Sequence, residues 1–438
     1  MTSQDFFITP IYFLLLTFIV YRLKYRSSLP STRKYFIPAL MIRFFGAIAV
    51  GLVYQFYYGG GDTFAFHSHG SRWIWRAFQE NPLNGFSMIF GDNNYRPTEI
   101  FRYASRIWYY RDDHSFFVVR VAGFFDLFTF STYTATALFF ASFSFLGAWS
   151  FYQSLVRIFP MMVKSAAYAV LFIPSVIFWG SGIFKDSLTL ASLFFIFSAI
   201  LRLTYLKERN ILLVIKLLLF GFIIFSIKEY IILAFVCSLS FFLYHYYLGK
   251  IRSPFVKTAL APFLLVSFFG IGYLLLNNLG EGSKYSIDNV ANTAFITAQD
   301  IRYGWGKEGG SGFDIGYDGS ISSMLSLMPV AINAVIFRPY LWEASNPFML
   351  LAALEATIFI LFTARVLFRS RFRLGRLFNN PITTFFVAFA LLFAFAVGIS
   401  TTNFGTLARY KIPMMPFYAL ALILMNGDAK DKMEEYRF

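Results

Sequence analysis

"YYGGGDTFAFHSHG", residues 57–70, follows an apolar run over 36–57 whose one charged residue is Arg43. Three consecutive glycines, one acid (Asp62) and two histidines (His67 and His69) stand where that run ends. A run of this length reads as a helix long enough to cross a bilayer, so the stretch marks a membrane edge. Its meaning depends on which side that edge faces and on what else gathers there.

Similar runs recur along the 438 residues, of which 58% are hydrophobic, 21% aromatic and only 14% charged. A soluble domain is nearer a quarter charged. The expectation is a single all-α integral-membrane domain over 1–438, a polytopic transmembrane bundle of about 11 spans. The first run, 6–22, reads as a retained helix rather than a cleaved signal, since bulky residues fill it and no small-residue cleavage site follows. Cys237 is the single cysteine, which excludes an intrachain disulfide framework and a cysteine-based zinc site.

The net charge of +15 comes from basic clusters between apolar runs, at 22–34, 157–164, 202–209, 250–257 and 365–376. That is the positive-inside pattern, and it calls for no nucleic-acid partner. With those clusters in the cytoplasm, spans fall at 6–22, 36–57, 132–154, 163–179, 187–204, 211–226, 230–247, 256–276, 347–365, 382–400 and 408–425. Residues 58–130 become a first outer loop and 277–345 a second, with 321–337 re-entrant or interfacial. "SRWIWRAFQENPL" and "EIFRYASRIWYYRDD" read as amphipathic helices lying at the headgroups, parted by 91–97. The Gly/Asp/Ser-rich stretch 280–319 reads as a flexible loop. Of 23 acids, only Glu208, Asp428, Asp431, Glu434 and Glu435 then face inward, so the outer face holds nearly all the carboxylates.

Four constellations lie at that outer edge. They are Asp62 with His67 and His69; Lys185–Asp186 in "FWGSGIFKDS"; Lys228–Glu229 in "IKEYI"; and Arg338, Trp342 and Glu343 in "FRPYLWE" with Arg409 and Lys411 in "NFGTLARYKIPMMP". A charged dipeptide in a tight turn is also what a solvated surface carries, and exposed pairs contribute little. Repetition at one edge favours chemistry. Asp62, His67 and His69 are residue types that ligate a divalent metal, although His-x-His also suits a surface near headgroups.

Carboxylates and cations together at a membrane surface suit sugar transfer from a lipid phosphate. The departing phosphate needs cations, and the acceptor hydroxyl needs one base. With an acid just after an early helix and amphipathic helices in a large first loop, the chain resembles the lipid-phosphosugar-dependent glycosyltransferases of the C fold type (GT-C). These include the protein O-mannosyltransferases and the lipid A aminoarabinose transferases. "RYKIPMMPFYALALIL" is similar to their closing helix, while "PSVIFWGSGIFKDS" and "FRPYLWEASNP" resemble motifs of bacterial envelope polysaccharide proteins.

The resemblance implies an enzyme of the bacterial inner membrane with its site facing the periplasm. Its partners would be a polyprenyl-phosphate sugar, membrane lipids and an acceptor glycan, lipid or protein. Asp62 would be the base and Asp186 a second catalytic acid, with Glu99 and Glu229 as alternatives because Thr63 stands where the family often has another acid. Lys185, Arg409, Lys228, Arg338 and Lys411 would hold the donor phosphate, and His67, Glu229, Trp342 and Glu343 would contact substrate. A polysaccharide polymerase or ligase of the O-antigen type, using a lipid-diphosphate donor, is one alternative. A lipid-glycan flippase is another, which would favour midplane charges; Arg43, Lys216, Asp126 and Glu355 are the ones away from edges.

Overall fold

A computed structural model of the chain describes residues 2–92, 98–251, 289–303, 311–372 and 380–426, with isolated residues between 253 and 270 and Gly375. The described residues are helical throughout, and their one extended pairing is an isolated bridge between Gly312 and Asn403. They form two compact units, one ending at Glu229 and the other beginning at Tyr230.

The first unit contains α1 (Ser3–Lys24), α2 (Phe36–Phe56), α3 (Asp62–Phe66), α4 (Arg72–Glu80), α5 (Pro82–Phe90), α6 (Thr98–Ala104) and α7 (Asp113–Thr129). It continues with α8 (Tyr133–Ile158), α9 (Val163–Leu171), α10 (Pro174–Trp179), α11 (Lys185–Thr204) and α12 (Ile211–Ile227). The second contains α13 (Glu229–Lys250, its first residue still in the first unit), α14 (Val290–Tyr303), α15 (Ile321–Ser326), α16 (Met328–Phe337), α17 (Pro347–Arg369), α18 (Pro381–Ser400), α19 (Phe404–Tyr410) and α20 (Met415–Met425).

Among the described residues, seven helices are long and apolar enough to cross a membrane: α1, α2 with its preceding turn, α8, α11, α13, α17 and α18. The pair α19–α20, bent by 66°, makes up to eight. These coincide with eight of the expected spans. The chain thus has the build of an all-helical integral membrane protein. The expected span 163–179 is instead two helices, because Pro174 lacks an N–H and disfavours helical geometry in the residue before it. The expected 211–226 is a shorter apolar helix, and 256–276 lies largely outside the described residues. Within 280–319, expected as loop, Val290–Tyr303 is a helix. In the first loop, helix begins already at Asp62, and "EIFRYASRIWYYRDD" is helical only up to Ala104.

α8 is the centre of the first unit and packs on α1, α2 and α11. It approaches α11 closely because Gly147 faces backbone: a Cβ there would meet the Ala191 carbonyl oxygen at 2.6 Å. Small residues permit this approach where apolar contact alone gives no advantage over lipid. Arg43 is buried in α2 and donates from Nη1 to Ser144 Oγ (3.1 Å), Val176 O (2.8 Å) and Gly180 O (3.3 Å). It thereby adds a donor to carbonyls at the end of the short helix α10, where a cation also suits the helix dipole. Asp5 Oδ1 accepts from Thr134 N at 2.8 Å, capping the start of α8 from a different helix.

Ion pairs mark the two ends of this unit. At one end Glu208 joins Arg157, in the last turn of α8, to Arg202 of α11, each at 2.5 Å. At the other end lie the starts of α7 and α11 and the turn from α12 to α13. Burial opposes ionisation of Glu208, but the two guanidiniums prevail and hold its carboxyl below the usual range.

Candidate functional site

Gly59, Gly60 and Gly61 have φ of +69°, +141° and +127°, a sequence of left-handed backbone that side chains disfavour. This arm turns the chain from α2 into α3 and makes Asp62 the first residue of that helix, half-buried. One face of α3 is fixed by contacts. Thr63 Oγ1 lies 2.7 Å from the Tyr133 hydroxyl, and Phe64 stacks on the Tyr133 ring with centroids 4.6 Å apart. Phe64 also packs against the cluster of Val50, Tyr54 and Phe184. Phe184 immediately precedes Lys185, so one aromatic cluster links the helix of Asp62 to the start of α11.

At that start, the dipeptide divides its charges between two neighbours. Asp186 is fully buried, and its Oδ1 receives Lys228 Nζ at 2.5 Å. Lys185 Nζ lies 3.6 Å from Asp112 Oδ2, just before α7. Burial works against the Asp112 charge, but Lys185 and the hydrogen bond from Ser115 outweigh it and hold the carboxyl below the ordinary carboxylate range. His114 Nδ1 is 3.0 Å from the Ser226 carbonyl oxygen, and its Nε2 is 3.9 Å from Glu229 Oε1. Lys185, Asp186, Lys228 and Glu229 therefore do meet, with Asp112 and His114 added. Those two were not singled out from sequence, although "DDHS" carries an acid at the start of a helix with Ser115 three residues on.

The two histidines part company. His67 is buried at 0% exposure, whereas His69 is exposed and stacks on Trp108 at 4.0 Å. Among the described residues no three His, Cys, Asp or Glu gather at metal-binding separation.

In the second unit Arg338 is committed to Glu343. Its Nε lies 3.0 and 3.1 Å from the two carboxylate oxygens, its Nη2 also bonds Oε1, and the guanidinium lies over Phe313 and Phe404, 5.0 Å from each centroid. Burial opposes the Glu343 charge, yet Arg338 and the Tyr340 N–H hold its carboxyl low. Trp342 is 82% exposed and stacks on Tyr340 at 4.9 Å. Arg409 and Lys411 are both buried, Lys411 at the break between α19 and α20 with Glu355 as the acid whose charge reaches it. No family model, curated protein or solved structure matches the chain.

The first unit thus brings acids, amines and an imidazole together at one end of its helices, beside an aromatic cluster. Such a set can accept a proton and stabilise an anion.

Proposed function

We propose that this chain is a membrane glycosyltransferase of the GT-C type, moving a sugar from a polyprenyl-phosphate donor to an acceptor hydroxyl on the non-cytoplasmic face. The observation that carries this reading is the grouping of Asp112, His114, Lys185, Asp186, Lys228 and Glu229 at one end of a helical bundle, beside the aromatic cluster that reaches the helix of Asp62.

In this reading Asp62 takes the proton of the acceptor hydroxyl. The acceptor oxygen bonds to the anomeric carbon as the bond from that carbon to the phosphate oxygen breaks, and the electron pair leaves on the lipid phosphate. Cations offset that charge in a low-dielectric setting, where they act strongly. In the first unit Lys185 serves here, while Lys228 is already held by Asp186. Asp186 holds Lys228 rather than moving a proton, since it is fully buried against it. Arg338 is a weaker phosphate ligand than the sequence suggested, because Glu343 already occupies its fork. Arg43 and Asp126, two of the charges a flippase would use, are tied to Ser144 and backbone carbonyls and to Ser71 and Thr136.

The test is donor class. Protein in nanodiscs is offered polyprenyl-monophosphate, polyprenyl-diphosphate and nucleotide sugars, and release of free polyprenyl phosphate is followed. Turnover of the monophosphate donor is expected. Turnover of the diphosphate donor alone would replace this reading with a polymerase or ligase.

A further inference from the structure

Thr63 on α3 and His67, four residues on and just past its end, are both at 0% exposure. Neither ring nitrogen of His67 makes a hydrogen bond, and Nε2 points to Asp126 Oδ1 at 3.5 Å. The ring meets Tyr133 edge-on at 5.4 Å. Asp126, on α7, is likewise at 0% exposure. Its Oδ2 accepts from Ser71 Oγ at 2.7 Å and its Oδ1 from Thr136 Oγ1 at 2.6 Å, with Thr136 in turn 2.7 Å from Thr129. His67 and Ser71 are the two ends of a single π-helical turn, a rare widening that recurs at functional positions. Both ends of that turn therefore address one buried carboxylate.

A buried carboxylate needs a partner, and two neutral hydroxyls satisfy its lone pairs without balancing its charge. Among the described residues no lysine or arginine forms an ion pair with Asp126, and His67 is the group within ion-pair distance. Asp62 opens α3 behind three glycines; the helix is held at Thr63 and Phe64 by Tyr133, and just past its other end by this anchor. An arm of consecutive glycines carries the largest backbone entropy, so it does not fix a side chain.

We propose that His67 is a positioning residue for Asp62: paired with Asp126, it clamps α3 to the corner between α7 and α8 and holds the carboxylate in place. This rests on the reading of Asp62 as the base. His67 itself touches neither substrate nor reacting atoms. Its contact with Asp126 and Tyr133 replaces the substrate and metal roles that its place in the sequence suggested.

Two measurements test the clamp, using the full chain in nanodiscs. Hydrogen exchange reads the anchor directly: amides of 62–66 should exchange about tenfold faster or more in His67→Ala, while His67→Gln, which keeps an N–H toward Asp126, stays near wild type. Asp126→Asn preserves shape and should loosen the same amides, which covers the case of a His67→Ala protein that does not fold. Steady-state kinetics read the consequence. His67→Ala should lose about tenfold or more in kcat with little change in donor KM. In an Asp62→Asn background it should cost nothing further. An unchanged exchange rate at 62–66 in both His67→Ala and Asp126→Asn overturns the clamp. So does an equal kcat loss in the wild-type and Asp62→Asn backgrounds, which would mark a general packing defect. If Asp62→Asn alone proves fully active, the base assignment fails, and the exchange measurement still decides whether His67 holds α3.

Discussion

Lys228 Nζ lies 2.5 Å from Asp186 Oδ1, with the side chains 9% and 0% exposed. The pair fastens the first turn of α11 to the turn before α13, and its two members depend on each other. Removing one partner of a buried ion pair strands the other charge, at a cost of roughly 3–5 kcal/mol. Replacing both by apolar groups of similar volume avoids that penalty. Lys228→Met should therefore lower the thermal unfolding midpoint and the folded yield, and Lys228→Met with Asp186→Leu should recover much of the loss. Circular dichroism on the detergent-solubilised proteins checks this. A Lys228→Met protein as stable as wild type would show that the pair carries no such coupling.

The Asp112–Lys185 pair gives a pH signature. The Asp112 carboxyl titrates lower in the folded protein than in the unfolded chain, because Lys185 and Ser115 outweigh its burial. The stability it adds is therefore complete above the unfolded-state value and fades as pH falls through the folded one. Asp112→Asn should be less heat-stable than wild type at neutral pH, with the two curves converging in acid below the ordinary carboxylate range. A gap that stays constant down to that range would contradict the assignment. The effect is small in absolute terms, since the Asp112 side chain is half-exposed.

The two ends of the first unit offer a test of sidedness. His69 and Lys207 are both exposed, the first beyond α3 and the second beside Glu208. With Cys237 replaced by Ala, an impermeant thiol reagent should label His69→Cys from outside and Lys207→Cys only after the membrane is opened. Labelling in the reverse order would invert the orientation and place the charged cluster in the cytoplasm.

Most of the long helices were readable because apolar length is a property of the chain in one dimension. The breaks were not. Pro174 interrupts 163–179 inside an otherwise apolar stretch, and the last span bends between Tyr410 and Met415 around Pro413, just after Arg409 and Lys411. Helix Val290–Tyr303 was hidden by its Gly- and Ser-rich flanks. The acids and amines of the site were visible as residue types at turns. Their pairing was not, because Lys185 chooses Asp112 and not its own neighbour, a choice made by packing between distant helices. His67 and His69 show the same limit, since two residues apart in the chain they face a buried carboxylate and a surface tryptophan.

In the proposed sugar transfer from a lipid phosphate Asp62 removes the acceptor proton, and one substitution at that position decides the matter. Asp62→Asn keeps the shape of the side chain at the start of α3 but cannot act as a base. Transfer of labelled sugar from a polyprenyl-phosphate donor is measured for purified wild-type and variant protein of equal folded yield. The expected result is a fall in kcat of about 100-fold or more in the variant with donor KM little changed. Wild-type turnover in Asp62→Asn would contradict it.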